Sequence, residues 1–348
     1  MYPDIKNRPF FIKLSNWEYW PFHLIYIPIF IYWVYLGIKA RSVLFFSAAN
    51  PAIESGGMLG ESKFNIMEML PAELKPKTIF IHKDFPKAKV LKLVKANKIT
   101  FPLIAKPDIG ERGWMVEKLD NIEQLEKYIQ NAYFHFIIQD FIAYPVEFAI
   151  MYYRYPGDEK GIVNSVTIKE FLSVKGDGKS TVKELLKQNP RAVLQIPVLK
   201  DVLGKELHKV VKKGEVRELV SIGNHCRGTK FINGNHLIDT QLMEAFDDVN
   251  KTTPGIFYCR YDLKCTSVED LKNGKNIKIM EINGVGSEPA HIYDPDFKLM
   301  DAYKALFHQW KTIYEISRIN RKKGITYMTM KEARQTIRFL MNYKKRAA

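Results

Sequence analysis

GIFYCRYDLKC (Gly255 to Cys265) and NIKIMEINGVG (Asn276 to Gly286) each set two polar side chains at i and i+2 in apolar surroundings. These are Arg260 and Asp262 in the first, Glu281 and Asn283 in the second. On a β-strand, residues two apart point to the same face. Two neighbouring strands therefore gather Asp262, Glu281 and Asn283 into one oxygen-rich cluster, with Arg260 beside it. Hard cations such as Mg²⁺ take such oxygens, often with phosphate oxygens completing the shell. Either pattern alone reads as an ordinary strand with a solvated outer face. Their joint occurrence, order and spacing point to a metal–phosphate site.

Working outward, the 348 residues are enough to bury a core and to form more than one lobe. A hydrophobic content of 46% and a charged content of 26% are those of a folded chain rather than a disordered one. The three cysteines, Cys226, Cys259 and Cys265, have no metal-ligand spacing and are odd in number, which fits a reducing, cytoplasmic compartment better than a disulfide framework. The net charge of +15 is uneven. From Lys311 onward there are eleven Lys/Arg against Glu315 and Glu332, so this stretch supplies +9 of the excess. Such a stretch suits an anionic surface, nucleic acid or the inner membrane leaflet.

The N-terminus separates these two. Tyr19 to Ile38 (YWPFHLIYIPIFIYWVYLGI) is twenty residues without formal charge, and three of the five Trp lie between positions 17 and 33. Length and hydrophobicity reach the threshold of a spanning helix, but Pro21 and Pro28 interrupt the run and its Trp/Tyr content is that of the headgroup region. The expectation is membrane association by a kinked helix or re-entrant segment, at the inner face, with a buried core element as the alternative. A signal peptide does not fit, for want of a basic start and a small-residue cleavage site. Nucleic acid is not expected as a partner, because the basic residues lie mostly in the terminal helix and the aromatics in an apolar run.

Along the rest of the chain, VLFF (Val43 to Phe46) reads as a short strand, followed by the glycine-bearing loop SAANPAIESGGMLGESK, whose glycines serve either a turn or a close backbone approach. ESKFNIMEML and FPKAKVLKLVKAN read as helices, KTIFI and PLIAKP as strands. NIEQLEKYIQNA is a helix with Asn121 as N-cap. FIIQDFI, VEFAIMYYRY and GIVNSVTIKEFLSV are strands, 181–215 is largely helical, and the chain from about 297 is helical and basic. The fold class is α+β, with an antiparallel sheet carrying the polar pairs. Two further stretches invite a phosphate. GDGKST (Gly176 to Thr181) lacks the glycine a P-loop requires, Ser173 standing in its place, and is better read as a turn feeding a helix N-terminus at Ser180 or Thr181. DIGERG (Asp108 to Gly113) follows Lys106, whose apolar neighbours predict a partly buried ammonium wanting an anion, or a lysine stem lying on the sheet.

From about Glu61 to Pro295 these residues resemble, in order, the ATP-grasp superfamily, in particular D-alanine–D-alanine ligases and the ligase lobe of cyanophycin synthetase. Arg260, Asp262, Glu281 and Asn283 match the family's Arg-x-Asp and Glu-x-Asn pairs. FPLIAKP looks like the strand with the phosphate-binding lysine, here Lys106, and GESKFNIMEMLP like the segment bearing an earlier nucleotide-binding lysine, Lys63. FIIQDFIAYPVEF is similar to the hinge. There the resemblance implies adenine contacts from Gln139 and the backbone at Asp140, Phe141 and Ile142, and ribose contacts from Glu147. GNHCRGTKFINGNHLID resembles an insert of cyanophycin-type ligases, which implies His225, Arg227 and Lys230 near the terminal phosphate or substrate. Two departures stand out: Gln139 occupies a position where the family often has Glu, and about sixty residues replace its usual pre-grasp domain.

What the resemblance implies is an ATP-grasp fold of two α+β lobes clasping ATP. Residues 1–60 form an apolar N-terminal segment, 61–300 the ATP-grasp domain with its hinge near 139–147, and 301–348 a basic helical segment. The implied activity is an ADP-forming ligase joining a carboxylate to an amine through an acyl-phosphate. Mg²⁺ (or Mn²⁺) would sit on Asp262, Glu281 and Asn283, and Arg260, Lys106 and Arg227 would serve catalysis. His291, Ser287 and Glu288 are candidates for substrate contact, His291 equally for a structural hydrogen bond. The alternatives are an ATP-grasp phosphotransferase, distinguished by a phosphorylated product, and a non-catalytic ATP-binding scaffold at the membrane.

Overall fold

In the computed structural model, residues 10–11, 14, 16–111, 113–188, 190–194, 196–219 and 229–345 are described. Alternating apolar and polar positions assemble two antiparallel sheets. The smaller has the order β1-β4-β2-β3, from Thr78–Ile81 (β1), Leu103–Pro107 (β2), Glu117–Leu119 (β3) and Phe136–Asp140 (β4). Ile79, Ile81, Leu103, Phe136 and Ile138 point to one face and bury against Val90, Val94 and Leu125 of the helices Lys87–Ala96 and Ile122–Asn131. Asn121 caps the second helix, its side chain accepting from Gln124 N at 2.9 Å. The register, Thr78 opposite Gln139 opposite Ile104 and Ile137 opposite Lys106, leaves those residues and Phe80 on the other face.

The larger sheet has the order β11-β10-β5-β6-β9, antiparallel throughout: Val146–Tyr153 (β5), Ile162–Glu170 (β6), Lys230–Asn233 (β9), Tyr258–Cys265 (β10) and Ile277–Asn283 (β11). One face carries Phe148, Ile150, Tyr152, Cys259, Tyr261 and Leu263 into a core closed by Leu242 and Phe246 of the helix Thr240–Lys251. The same alternation turns Arg260, Asp262 and Lys264 of β10, Glu147 and Ala149 of β5, and Ser165, Thr167 and Lys169 of β6 to the opposite face. The sheets are joined by the short link 141–145, and Lys106 of the small sheet reaches across to the Met280 carbonyl of the large one at 3.0 Å. A hairpin of Ser173–Lys175 (β7) and Val216–Glu218 (β8), with its own apolar cluster around Leu186, lies between β6 and β9 in sequence.

Val43 to Phe46 is not the strand expected. The helix Ile27–Ala40 ends in the left-handed Arg41, and the chain turns into a 3-10 helix over Phe45–Ala48. Tertiary packing overrides the β-propensity here: Phe45 packs edge-on against Trp310 and Tyr314 of the long helix Leu299–Lys322. The apolar run divides at Tyr26 into Phe22–Ile25 and Ile27–Ala40, with Pro28 in the first turn of the second helix. Among the described residues no helix is long and apolar enough to cross a membrane. The helix Ile27–Ala40 lies alongside the long helix through Tyr32 on Phe307 and Trp33 on Trp310, and just before it the Ile25 carbonyl accepts from the Tyr303 hydroxyl. The last helix, Met330–Lys345, returns to the small lobe, where Tyr343 meets Trp114 and Phe134.

The glycine loop makes a close backbone approach. Val285 N and Gly286 N donate to the carbonyls of Gly56 and Gly57 at 3.1 and 2.9 Å. A Cβ on Gly57, where φ is +79°, would sit 2.6 Å from Gly284 Cα. Only glycine accepts both demands. Buried Asn50 ties the loop to β10, donating to Gly56 O and Tyr258 O and accepting from Phe257 N and Tyr258 N, all within 2.9 Å.

Candidate active site

The two polar pairs meet across adjacent strands. Arg260 stands opposite Asn283 and Asp262 opposite Glu281, with a bulge after Asp262 where Leu263 pairs with Ile279 and Met280 is the extra residue. A bulge re-aims backbone groups, and here it is the Met280 carbonyl that receives Lys106. Asp262 is 7% exposed. It accepts from Arg260 Nε and Nη2 at 3.1 and 3.0 Å and from Asn283 Nδ2 at 3.1 Å, with Lys169 Nζ at 3.5 Å. Burial pushes its carboxyl up, but Arg260 and Lys169 outweigh burial and hold it below the usual carboxylate range.

Lys106 and Lys63 approach from the small lobe. Burial pulls the Lys106 ammonium below the usual lysine range, with Glu281 opposing. Lys63 opens the helix Lys63–Glu68, capped by Ser62. Asp108, just past Lys106, accepts from Phe64 N at 2.8 Å and from Ser62 Oγ at 3.0 Å, so it locks that helix to the end of β2. Lys63 Nζ donates to the Gly110 carbonyl and lies 3.6 Å from Glu281 Oε1. The DIGERG loop is therefore tied to Lys63; its Arg112 lies outside the described residues. Beside it Gly60, Glu61, Glu111, Trp114, Leu340 and Tyr343 border a small, partly open recess.

At the link between the sheets, Gln139 is buried and donates to Thr78 Oγ1 at 3.0 Å, on the same face as Lys106. Asp140 N donates to Lys77 O at 3.0 Å. Burial raises the Asp140 carboxyl, Lys77 and Lys278 opposing. Phe141 and Ile142 follow half-buried, and the ammonium groups of Lys118 and Lys264 lie 5.0 and 5.3 Å from the Phe141 ring centre. Glu147 is buried and held by Lys169 at 2.9 Å and Lys264 at 3.9 Å.

Lys169 and Lys264 were not picked out from the sequence. The signal was present: Ser165, Thr167 and Lys169 continue at period two on β6, as Arg260, Asp262 and Lys264 do on β10. Burial lowers and Asp262 with Glu147 raise the Lys169 ammonium, and the carboxylates prevail. His225 and Arg227 lie outside the described residues, and Lys230 Nζ is 3.8 Å from Glu170 at the rim of β9. GDGKST holds no phosphate cradle. The Asp177 carboxylate itself takes the amides of Lys179 and Ser180 at 2.8 and 2.7 Å, and Thr181 forms a capping box with Glu184.

Past β11, the Glu288 carbonyl accepts from Arg260 Nη1 at 3.4 Å, while the Tyr293 hydroxyl donates to the Glu288 carboxylate, which burial raises to about 7. Ser287 donates back to Gly284 O at 2.6 Å. Buried His291 shares a 2.6 Å hydrogen bond with Ser165 Oγ, and burial lowers its imidazole to about 4.

Two carboxylates and one amide on facing strand positions are hard oxygen donors of the kind Mg²⁺ takes, and are too few to complete an octahedron, so remaining oxygens come from a ligand or water. Among the described residues no three His, Cys, Asp or Glu cluster as a metal site on their own. Five cations, Lys63, Lys106, Lys169, Arg260 and Lys264, converge on Glu147, Asp262 and Glu281. Glu61 at the edge is pushed towards its neutral form by burial. Together the oxygen donors and the surplus of cations suit a divalent cation paired with a polyanion.

No family model matches the chain, and no curated protein does. Among solved structures it is similar to VanG D-Ala:D-Ser ligase from Enterococcus faecalis, at 14% identity and a TM-score of 0.44 over 76% of this chain and 62% of that one. It is similar to D-alanine–D-alanine ligase from Bacillus anthracis, at 14% identity and a TM-score of 0.42 over 75% and 68%. A bifunctional glutathione synthetase from Pasteurella multocida is aligned at 14% identity and a TM-score of 0.36 over 68% and 34%. The chain thus spans 62% of the length of the D-Ala:D-Ser ligase. The likeness assigns neither a family nor a substrate.

Proposed function

We propose that the protein is an ATP- and Mg²⁺-dependent carboxylate–amine ligase that works through an acyl-phosphate at a membrane surface. The observation that carries the reading is the face-to-face pairing of Arg260 and Asp262 with Asn283 and Glu281, with Lys106 entering from the opposite wall. In this reading residues 61–300 are the grasping domain, with 1–60 standing where a pre-grasp domain would.

Gln139 and the backbone of Asp140, Phe141 and Ile142 bind adenine, and Glu147 the ribose, for which it exchanges part of its hold on Lys169 and Lys264. Lys63, Lys106 and Arg260 bind the outer phosphates. The bound Mg²⁺, held by Asp262, Glu281 and Asn283, supplies neutralisation of charge on the phosphate oxygens. A substrate carboxylate oxygen attacks the γ-phosphorus, the bond to the bridging oxygen breaks, and ADP leaves. The amine nitrogen then attacks the acyl carbon, phosphate departs, and the nitrogen loses a proton. Lys106 and Arg260 stabilise the charge that grows on the transferred group, each worth a few kcal/mol in a water-poor site, and Arg227 belongs to this charge-stabilising set. Positioning supplies the remainder without a protein nucleophile.

Magnesium-dependent ADP release on adding a carboxylate and an amine tests the reading, with an amide and free phosphate as the accompanying products. A phosphorylated hydroxyl as sole product would assign the site to phosphotransfer instead. Full turnover by Asp262→Asn would remove the metal assignment.

A further inference from the structure

We infer that the exposed face of the helix Ile27–Ala40 docks the protein, lying in plane, on one leaflet of an anionic lipid bilayer. The inference gives the surface and its orientation for the membrane placement above; it rests on that surface and not on the ligase chemistry, so either can fail alone.

The helix has two apolar faces. One is spent inside the protein, where Ile29 and Leu36 are buried and Tyr32 and Trp33 meet Phe307 and Trp310. The other presents Ile27, Phe30, Ile31, Val34, Tyr35 and Ile38, between 44 and 72% exposed. Their spacing of three and four places them along a single stripe. At 14 residues the helix is about 21 Å long, short of the roughly 30 Å hydrocarbon core. A lipid-facing stripe on a helix packed along its opposite side sinks its apolar side chains into the headgroup–acyl boundary without crossing it.

Charge selects the occupant. The helix Ile27–Ala40 contains no acidic residue and ends in Lys39 and Arg41, both exposed. The Lys39 ammonium lies 5.3 Å from the ring centre of Tyr35, on the stripe, and 5.7 Å from that of Tyr314 on the long helix. Arg318 lies 5.5 Å from the same Tyr314 ring, and exposed Lys311 is two turns before it. Glu315, one turn on from Lys311, accepts from the Tyr155 hydroxyl at 2.8 Å and lies 3.9 Å from the Lys311 ammonium, so Lys39, Arg41 and Arg318 carry the net positive charge of the rim. Apolar stripe, interfacial tyrosine and basic rim are the features that anionic headgroups match. A second copy seated on the stripe would cover its apolar area but leave the basic rims of both copies without counter-charge.

Flotation of the full chain with vesicles of pure phosphatidylcholine, and of an equimolar phosphatidylcholine–phosphatidylglycerol mixture, tests this without nucleotide or substrate. Flotation with the anionic vesicles is expected, weakening as salt screens the rim. Ile31→Asp with Val34→Asp is expected to lower vesicle affinity by at least about tenfold, since two apolar side chains leave the interface. Lys39→Glu with Arg41→Glu is expected to lower affinity for the anionic vesicles by about tenfold or more, each lost cation counting for about fivefold. None of the four residues is part of the buried core, so both variants are expected to stay folded, with thermal midpoints within a few degrees of the parent. The inference is overturned if the full chain floats with neither vesicle or if the stripe variant floats like the parent. It is equally overturned if the parent is a dimer in solution that the stripe variant converts to monomer.

Discussion

Lys106 and Lys169 stand on opposite walls of one cleft, both buried, and their protons respond in opposite directions. Lys169 is flanked by Glu147 and Asp262, which raise its ammonium above the usual range against the penalty of burial. Lys106 has a backbone carbonyl as partner, no carboxylate within ion-pair range among the described residues, and a proton that burial loosens. The difference separates a cation that completes the protein's own ion-pair network from one whose partner is a neutral carbonyl, the one that in the proposed function meets the outer phosphates.

Breaking that contrast from the network side has the largest expected effect. Lys169→Met strips the compensation from two buried carboxylates and is expected to cost about 3–5 kcal/mol in urea unfolding. Lys106→Met should do the reverse. Its stability is expected to match or slightly exceed the parent, while ADP release falls by about a hundredfold or more, because a preorganised charge has gone from the reacting phosphates. Equal stability losses in the two variants would erase the distinction.

His291 sharpens the comparison with a group buried in its uncharged form. Its imidazole is depressed to about 4 against an ordinary 6.5, so the unfolded chain binds the extra proton between those values. The stability it contributes is complete above pH 6.5 and is lost as pH falls towards 4, up to about 3 kcal/mol. Urea midpoints taken at descending pH should show this slope in the parent and a shallower one in His291→Asn. The smallest effect is expected at Lys264, whose ammonium lies 5.3 Å from the ring centres of both Phe141 and Phe171 and is otherwise only loosely paired with Glu147. Lys264→Met should change stability by about 1 kcal/mol or less.

Much of this was readable from local pattern. Period-two polarity marks β10 and β11, the cap at Asn121 is visible as a residue type at a helix start, and the choice left open between Ser180 and Thr181 falls to Thr181. The misreading of Val43 to Phe46 has a tertiary cause. Two aromatic side chains that suit a strand are instead recruited by Trp310 and Tyr314, more than 250 positions away. The glycine loop was undecidable locally, because what forbids a side chain at Gly57 is the backbone of Gly284. At Lys169 the period-two polarity of β6 marks a polar face, but a strand lysine commonly snorkels to water, and nothing within β6 reveals that β5 and β10 bring carboxylates to it.

The chain's own order of residues determined which side chains share a strand face, where helices start, and how unevenly charge is spread, since these depend on backbone periodicity and nearest neighbours. Only the tertiary structure decided which buried cations are neutralised, that the bulge at Met280 turns a carbonyl to Lys106, and that the apolar N-terminal run has one face spent and one exposed. Those outcomes depend on which distant groups share a small volume. Coulomb energy and desolvation are set by separation in space, which separation along the chain does not specify.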